Sequence, residues 1–261
     1  MKTRREILKS SLGIAGIIAA GKAPAAIVRS LVGANGITFI DNREGMPTAK
    51  DYIKNGLVVL QDGIENVDYG VHDSNATIWY NLVNHNVLGY DLSKDTSSSP
   101  LTWTDIGLLR NSIVSRTGLM YKMYSPTSPY TLECIARISS SAMFSNIFGL
   151  SNPFGCGFGA AWQYHVGAGT VDGHNYILFP RNTIVSTSAL IPTSTKADVS
   201  YYLNAELQEP LSNGRGMGGT NFCLMTRCTG EAHCLRIYNR LLSESEIAHN
   251  YAIDKERFGL A

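Results

Sequence analysis

Side chains able to do chemistry are thinly spread along this chain of 261 residues. Acids two residues apart, the spacing that sets carboxylates side by side on one face of a strand, occur as Glu244/Glu246 and Asp254/Glu256. Both pairs fall in a stretch with helical periodicity, where that spacing points the two side chains apart. Asp62, Glu65, Asp68, His72 and Asp73 crowd one polar loop, residues 62–75. Such acids either offer oxygens to a calcium ion, which wants about six to eight of them, or bond their own backbone as turn formers. The regular Asp-x-Asp-x-Asp-Gly arrangement is missing, which favours the turns. Cys223, Cys228, His233 and Cys234 form C-x4-C-x4-H-C, a spacing that matches no zinc finger or ribbon. Those thiols read as small core side chains, with a Cys228 to Cys234 disulfide as the other reading; Cys134 and Cys156 read as core fillers. Gly16-x4-Gly21-Lys22 imitates a phosphate loop, but Ala23 replaces the hydroxyl residue and no strand precedes it. The six histidines are scattered. There is no Gly-x-Ser-x-Gly elbow, no His-Glu-x-x-His helix and no glycine-rich nucleotide fingerprint.

The element with the clearest pattern lies at the carboxyl end, residues 234–259. Leu235 and Ile237 alternate with Arg236 and Tyr238, the period of a strand with one buried face. Ser243 followed by Glu246 is a capping box, and Leu242 with Ile247 supplies a hydrophobic staple. Ile247, Tyr251 and Phe258 then share a helical face, with Glu244, His249, Lys255 and Glu256 turned from it. A lone helix of this length is marginal in water, so it must lie on something.

Upstream, the patterns are those of strands. Residues 56–60 form an apolar run between Asn-Gly and Asp-Gly, and 78–90 supply a strand pair with Trp79 packed inside. In 130–138, Leu132, Cys134, Ala136 and Ile138 alternate with Thr131, Glu133, Ile135 and Arg137, and 143–150 is expected as the partner strand. Residues 155–167 read as one strand, its even positions (Phe158, Ala160, Trp162, Tyr164, Val166) facing a core between sheets and its odd positions facing outward. Gln163 and His165 are therefore candidate ligand contacts, as are Asp62, His72 and Asp73 of the polar loop, whereas Trp162 points the wrong way to stack on a sugar. Further strands are expected at 176–185 and 199–203, with a hairpin of 221–228 and 233–239 turning at Thr229-Gly230-Glu231.

The amino end reads as an address. Arg4 and Arg5, a mildly apolar run over 12–20, Lys22 and the Ala-Pro-Ala-Ala sequence at 23–26 make a secretory signal, and paired arginines followed by Leu8-Lys9 resemble the twin-arginine class. The apolar run is shorter than the ~20 residues a membrane span needs, so no integral membrane segment is expected once residues 1–25 are removed. Their loss takes away five basic residues (Lys2, Arg4, Arg5, Lys9, Lys22) and one acid (Glu6), turning a net charge of +1 into a modest negative one. That surface has no reason to seek nucleic acid. Residues 26–50, with Gly33, Gly36, Gly45 and Pro47, are expected as a flexible linker, and 51–261 as a single domain. Sparse charge with abundant Gly, Ser, Thr and Asn suits an all-β extracellular domain rich in turns.

The closing run LRIYNRLLSESEIAHNYAIDKERFG and the segment YIKNGLVVLQDGIENVDYGVHDSNATIWYNLV at 52–83 together resemble the bacterial and phage concanavalin A-like lectin/glucanase domains, the laminin-G-like jelly rolls. The resemblance implies an all-β fold, a two-sheet antiparallel β-sandwich (jelly roll) with a short C-terminal helix. It also raises glycan hydrolysis, which in retaining enzymes needs two carboxyl groups roughly 5 Å apart. Glucanases of this fold carry them as alternating acids on one strand, and no expected strand here has such a pair. The expectation is an exported, non-catalytic carbohydrate-binding or adhesive module, periplasmic or extracellular, meeting a glycan or cell-surface polysaccharide. A structural or protein-interaction domain of a virion or cell surface is the alternative reading, and a divergent glycan hydrolase the third. No cofactor is expected beyond the calcium alternative.

Overall fold

The computed structural model describes residues 30–32, 37–40, 46–86, 89–94, 98–112, 120–121, 129–150, 157–160, 164–166, 180–192, 200–208 and 222–260. In chain order the strands are β1 (Ser30–Val32), β2 (Ile37–Ile40), β3 (Leu57–Asp62), β4 (Val71–Asp73), β5 (Ile78–Trp79), β6 (Tyr90–Asp91), β7 (Thr102–Thr104) and β8 (Gly107–Arg110). They continue with β9 (Met120–Tyr121), β10 (Tyr130–Leu150), β11 (Gly157–Ala160), β12 (Tyr164–Val166), β13 (Ile184–Ile191), β14 (Ser200–Leu203), β15 (Glu206–Gln208) and β16 (Phe222–Tyr238). Among the described residues one α-helix, α1 (Glu244–Phe258), follows β16. The large sheet runs β15-β14-β13-β10-β16-β8-β7, with β3 and β9 also on β16 and the β11–β12 pair on β10. Every strand pair among the described residues is antiparallel. This is the all-β, antiparallel β-sandwich class expected from the sequence, with its short C-terminal helix.

The alternation in β10 explains the layering. Leu132, Cys134, Ala136 and Ile138 share one face with Ala189, Ile191, Leu235, Ile237 and Val59, and pack on Trp79, Tyr90, Leu101 and Leu108. The opposite face carries Ile135, Leu60, Cys234 and Tyr238, which pack with Tyr52, Ile247, Ile253 and Phe258 of the segment before β3 and of α1. The central strands are thus buried on both sides, where the sequence pattern suggested one buried face. Arg236 and Glu133 are buried on the second side, because α1 lies over it.

The end of the chain otherwise follows its pattern. The Ser243 Oγ accepts from the Glu246 amide at 3.3 Å and the Glu246 carboxylate accepts from the Ser243 amide at 2.9 Å, completing the capping box. Leu242 and Ile247 are both buried in the helix-side cluster. Gly259, at φ 67°, ends the helix in the left-handed conformation and donates its amide to the Lys255 carbonyl, a geometry that suits a residue with no Cβ.

Several boundaries differ from the sequence reading, each for a tertiary reason. Residues 143–150 are not a partner of 130–138: β10 runs through both, pairing Asn146 with Thr226 and Phe148 with Leu224. Likewise β16 continues through Thr229-Gly230-Glu231, which pair with Ser140, Ile138 and Arg137 where a hairpin turn was expected. Gly230, at φ 139°, absorbs an irregularity in register there; an added Cβ would collide with the Arg137 carbonyl. Residues 155–167 hold two short strands, not one, pairing Phe158 with Val166 and Gly159 with His165. The expected linker contains β1 and β2, and β2 pairs with β4. Of the expected 176–185 strand, residues 176–179 lie outside the described residues, and 180–183 form a turn before β13 begins at Ile184. The described cysteines Cys134, Cys228 and Cys234 are buried, and no disulfide joins Cys228 to Cys234. Burial pushes the Cys134 and Cys234 thiols well above the ordinary range, which suits core packing and not nucleophilic chemistry.

Candidate functional site

β3 ends at Asp62, and the loop that follows is built by its side chain. The Asp62 Oδ1 accepts the amides of Ile64 and Glu65, each at 2.9 Å, the local bonding expected of a turn-forming acid. Glu65 accepts from the Ala49 amide at 3.0 Å and the Gly70 amide at 2.9 Å. Arg257, from α1, reaches both acids, at 2.8 Å to Asp62 and 2.9 Å to Glu65. Burial pushes the Asp62 carboxyl above its ordinary range while Arg257 pulls it down.

His72 is also inside. Its Nδ1 stands 3.1 Å and 3.2 Å from the Gly63 and Ile64 carbonyls, which suits a protonated, donating Nδ1 because both neighbours only accept. Its ring meets Trp103 edge-on at 6.1 Å. Asp62 and His72 therefore face other parts of the chain and shape the loop.

Asp73 is placed differently. The buried Asn66 clamps its backbone, donating to the Asp73 carbonyl at 2.9 Å and accepting its amide at 2.8 Å. The Asp73 Oδ1 takes the Asn75 amide at 2.8 Å, and among the described residues nothing else bonds that carboxylate. Trp103 donates its indole N–H to the Ala76 carbonyl at 2.8 Å. On the next strand the Trp79 indole donates to the Asp62 carbonyl at 2.9 Å and Gln61 donates to the Trp79 carbonyl at 2.7 Å. Those bonds hold Trp79 inward, so the strand alternation turns Ile78 and Tyr80 to the other side.

The result is an open cavity of about 340 Å³ lined by Val67, Val71, Asp73, Asn75, Ala76, Thr77, Ile78 and Tyr80. Its walls combine half-buried aliphatic groups, one aromatic ring and a polar set of carboxylate, amide and hydroxyl. The His85 ring lies against Tyr80 with centroids 5.3 Å apart. A concave, largely apolar surface with a few convergent polar groups is the usual form of a small-ligand site, and its volume is at the small end.

Of the residues singled out from sequence, the cavity includes Asp73 alone. Gln163 lies outside the described residues. His165 is in β12, opposite Gly159. Tyr80 and Asn66 went unnoticed in the sequence, although an inward Trp79 implies an outward Tyr80.

Carboxylates from separate elements do converge elsewhere, on Arg236. Its Nε is 2.7 Å from Glu133, and its Nη1 and Nη2 are 2.7 Å and 2.8 Å from the two oxygens of Asp254. Ser188 and Asn250 donate to Glu133, and Tyr52 and Ser186 donate to Asp254. The guanidinium lies over the Tyr52 ring at 4.1 Å. All of these groups are sealed beneath α1, so the acid pair has a permanent cation between its members and no room for a substrate. Among the described residues no group of three or more His, Cys, Asp or Glu is placed to hold a metal ion, and no helix is long and apolar enough to cross a membrane.

No protein-family model matches the chain, and no curated protein matches it in sequence. Solved structures resemble it in shape. Domain 4 of AbnA, a GH43 extracellular arabinanase from Geobacillus stearothermophilus, determined in complex with arabinotriose, aligns with a TM-score of 0.52 at 14% identity, covering 77% of this chain and 100% of that domain. Trypanosoma rangeli sialidase aligns with a TM-score of 0.50 at 14% identity, covering 77% of this chain and 33% of that one. The same sialidase in complex with a difluoro-KDN compound aligns at 0.50 with 15% identity, over 89% and 37%. The chain thus spans about a third of the sialidases. At such identities the likeness is one of fold.

Proposed function

We propose that this chain is an exported, non-catalytic glycan-binding module, and that the cavity between β4 and β5 is its contact surface. The observation that carries the reading is the joint presence there of the Tyr80 ring, an aliphatic floor and the clamped Asp73. A sugar ring has an apolar CH face and a hydroxyl rim, and this surface offers a partner to each. The fold it shares with an arabinanase domain crystallised with arabinotriose is compatible with that use. Within the concanavalin A-like resemblance, the binding class is favoured over the hydrolases because Glu133 and Asp254 are locked by Arg236 and covered by α1. His165 of β12 and Gln163 belong to the same proposal as a secondary contact. Asp62 and His72 enter it as supports of the loop that carries Asp73.

The export half rests on Arg4, Arg5 and the apolar run after them, and places the mature chain in the periplasm or outside the cell. Replacing both arginines by lysine is expected to hold the precursor in the cytoplasm if the twin-arginine reading is right, and fractionation checks it. For binding, a glycan array read with and without calcium is expected to give saturable, competable signals that Tyr80→Ala removes.

A second reading, a structural or protein-interaction domain of a cell surface or virion, is favoured by one feature. β15 ends the path of the large sheet and carries Leu207, 59% exposed, and an edge strand is a template for pairing with another chain. A silent array together with stable oligomers in sizing would decide for it.

A further inference from the structure

The charge of the cavity narrows the class of glycan. Among its eight described lining residues the one carboxylic acid is Asp73, and none is Lys or Arg. Next to Val67, Asp68 is exposed and 4.0 Å from the Nε2 of His85, so the imidazole beside Tyr80 already has an acid for a neighbour. The Lys50 and Lys54 ammonium groups sit over Tyr69, 5.3 Å and 5.7 Å from its ring centre, and Tyr69 is not part of the lining. An ionised carboxylate accepts hydrogen bonds and donates none. With Oδ1 on the Asn75 amide and Oδ2 unbonded among the described residues, Asp73 calls for hydroxyl donors. Neighbouring hydroxyls of a sugar ring supply them. A second carboxylate, from a uronic or sialic acid residue, would instead meet a like charge with no Lys or Arg among the described lining residues to offset it. Asn66 makes this selection stiff, because its two bonds to the Asp73 backbone leave the carboxylate little freedom to swing away.

We propose that the cavity accepts uncharged glycan chains, through a hydroxyl pair on Asp73 and a sugar CH face on Tyr80, and rejects acidic ones. This rests on the glycan-binding reading above. The test titrates the full chain by calorimetry with gluco- and xylo-oligosaccharides, and with oligogalacturonates and sialyllactose of similar length. Neutral chains are expected to bind at least about tenfold tighter than acidic ones, the order of effect a like-charge contact produces. Asp73→Asn keeps the Oδ1 acceptor that holds the Asn75 amide. It is expected to weaken the neutral ligands and to shrink the preference below about threefold, which is under about 0.7 kcal/mol. Acidic chains that bind as tightly as neutral ones and lose binding in Tyr80→Ala would overturn the charge rule while leaving a glycan site in place. Binding of neither class would remove the glycan reading along with it.

Discussion

Two regions of the molecule, the interface of α1 with the large sheet and the cavity between β4 and β5, both gather polar side chains and treat them in opposite ways. Under α1, Glu133 and Asp254 close on Arg236, and Asp62 and Glu65 close on Arg257, with hydroxyl, amide and backbone donors filling many of the remaining positions. In the β4–β5 cavity, Asp73 has one amide partner, and Asn75 and Thr77 are exposed. Charge at the helix interface is thus neutralised within the protein and fixes how the helix sits. Polar groups at the cavity have fewer partners among the described residues, which is compatible with the proposed contact surface. A buried ion pair is a weak source of net stability but a strong penalty when broken, so it suits a joint that must have one geometry. An underused carboxylate on a clamped backbone suits recognition.

The contrast predicts a graded series of effects. The largest should come from Arg236→Met, which strands Glu133 and Asp254 in a sealed interior; a loss of about 3–5 kcal/mol is expected in urea unfolding. Neutralising both acids in that background, with Glu133→Gln and Asp254→Asn, should recover much of it. A loss under about 1 kcal/mol in the single variant would mean that the interface is wetter than described. Arg257→Met should be milder, about 2 kcal/mol, since Asp62 and Glu65 keep the amides of Ile64, Glu65, Ala49 and Gly70 as donors. Ser243→Ala removes the helix cap and should cost about 1 kcal/mol by the same measurement.

Acid titration sharpens the same boundary. The Arg240 guanidinium, at 2.8 Å and 2.6 Å, together with the Ser243 amide, holds the Glu246 carboxyl down at about 2. A carboxylate with a lowered folded-state pKa adds stability above its unfolded value, and that contribution fades as the pH falls towards the folded value. Unfolding midpoints should therefore drop between roughly pH 4.5 and 2. In Glu246→Gln that part of the drop should vanish, and an unchanged pH profile would count against the Arg240 contact. The smallest effect on stability is expected at the cavity. Tyr80→Ala should shift unfolding by only about 0.5 kcal/mol while removing glycan retention on an affinity column. A large stability loss there would place Tyr80 among the supports of the fold and undo the contrast.

Legibility from sequence divides along related lines. The capping box at Ser243 and Glu246, the alternation through Leu132 to Ile138 and the inward Trp79 could all be read, because each pattern is written within a few residues. Period-two alternation says that Arg236 opposes Leu235 and Ile237, but not that a helix covers it and buries it. The stretch at 143–150 reads as a separate strand, whereas pairing with β16 carries β10 through it. Gly230 reads as part of a hairpin turn; its positive φ serves a kink in a continuous strand. In the polar loop, the sequence placed Asp62, His72 and Asp73 together but could not rank them. Burial separates them, and only Asp73 lines the cavity.

By itself, then, the sequence determined the all-β antiparallel character, the closing helix and its cap, and the absence of alternating acids on the expected strands. These depend on spacing over one or two turns or a single strand. Tertiary structure alone decided which polar side chains are enclosed and which are offered. The Arg236 bond to Glu133 spans 103 positions, and the Asn250 bond to the Ile53 amide spans 197. Whether a side chain keeps water or loses it is set by what packs on its second side, and that neighbour comes from a distant part of the chain.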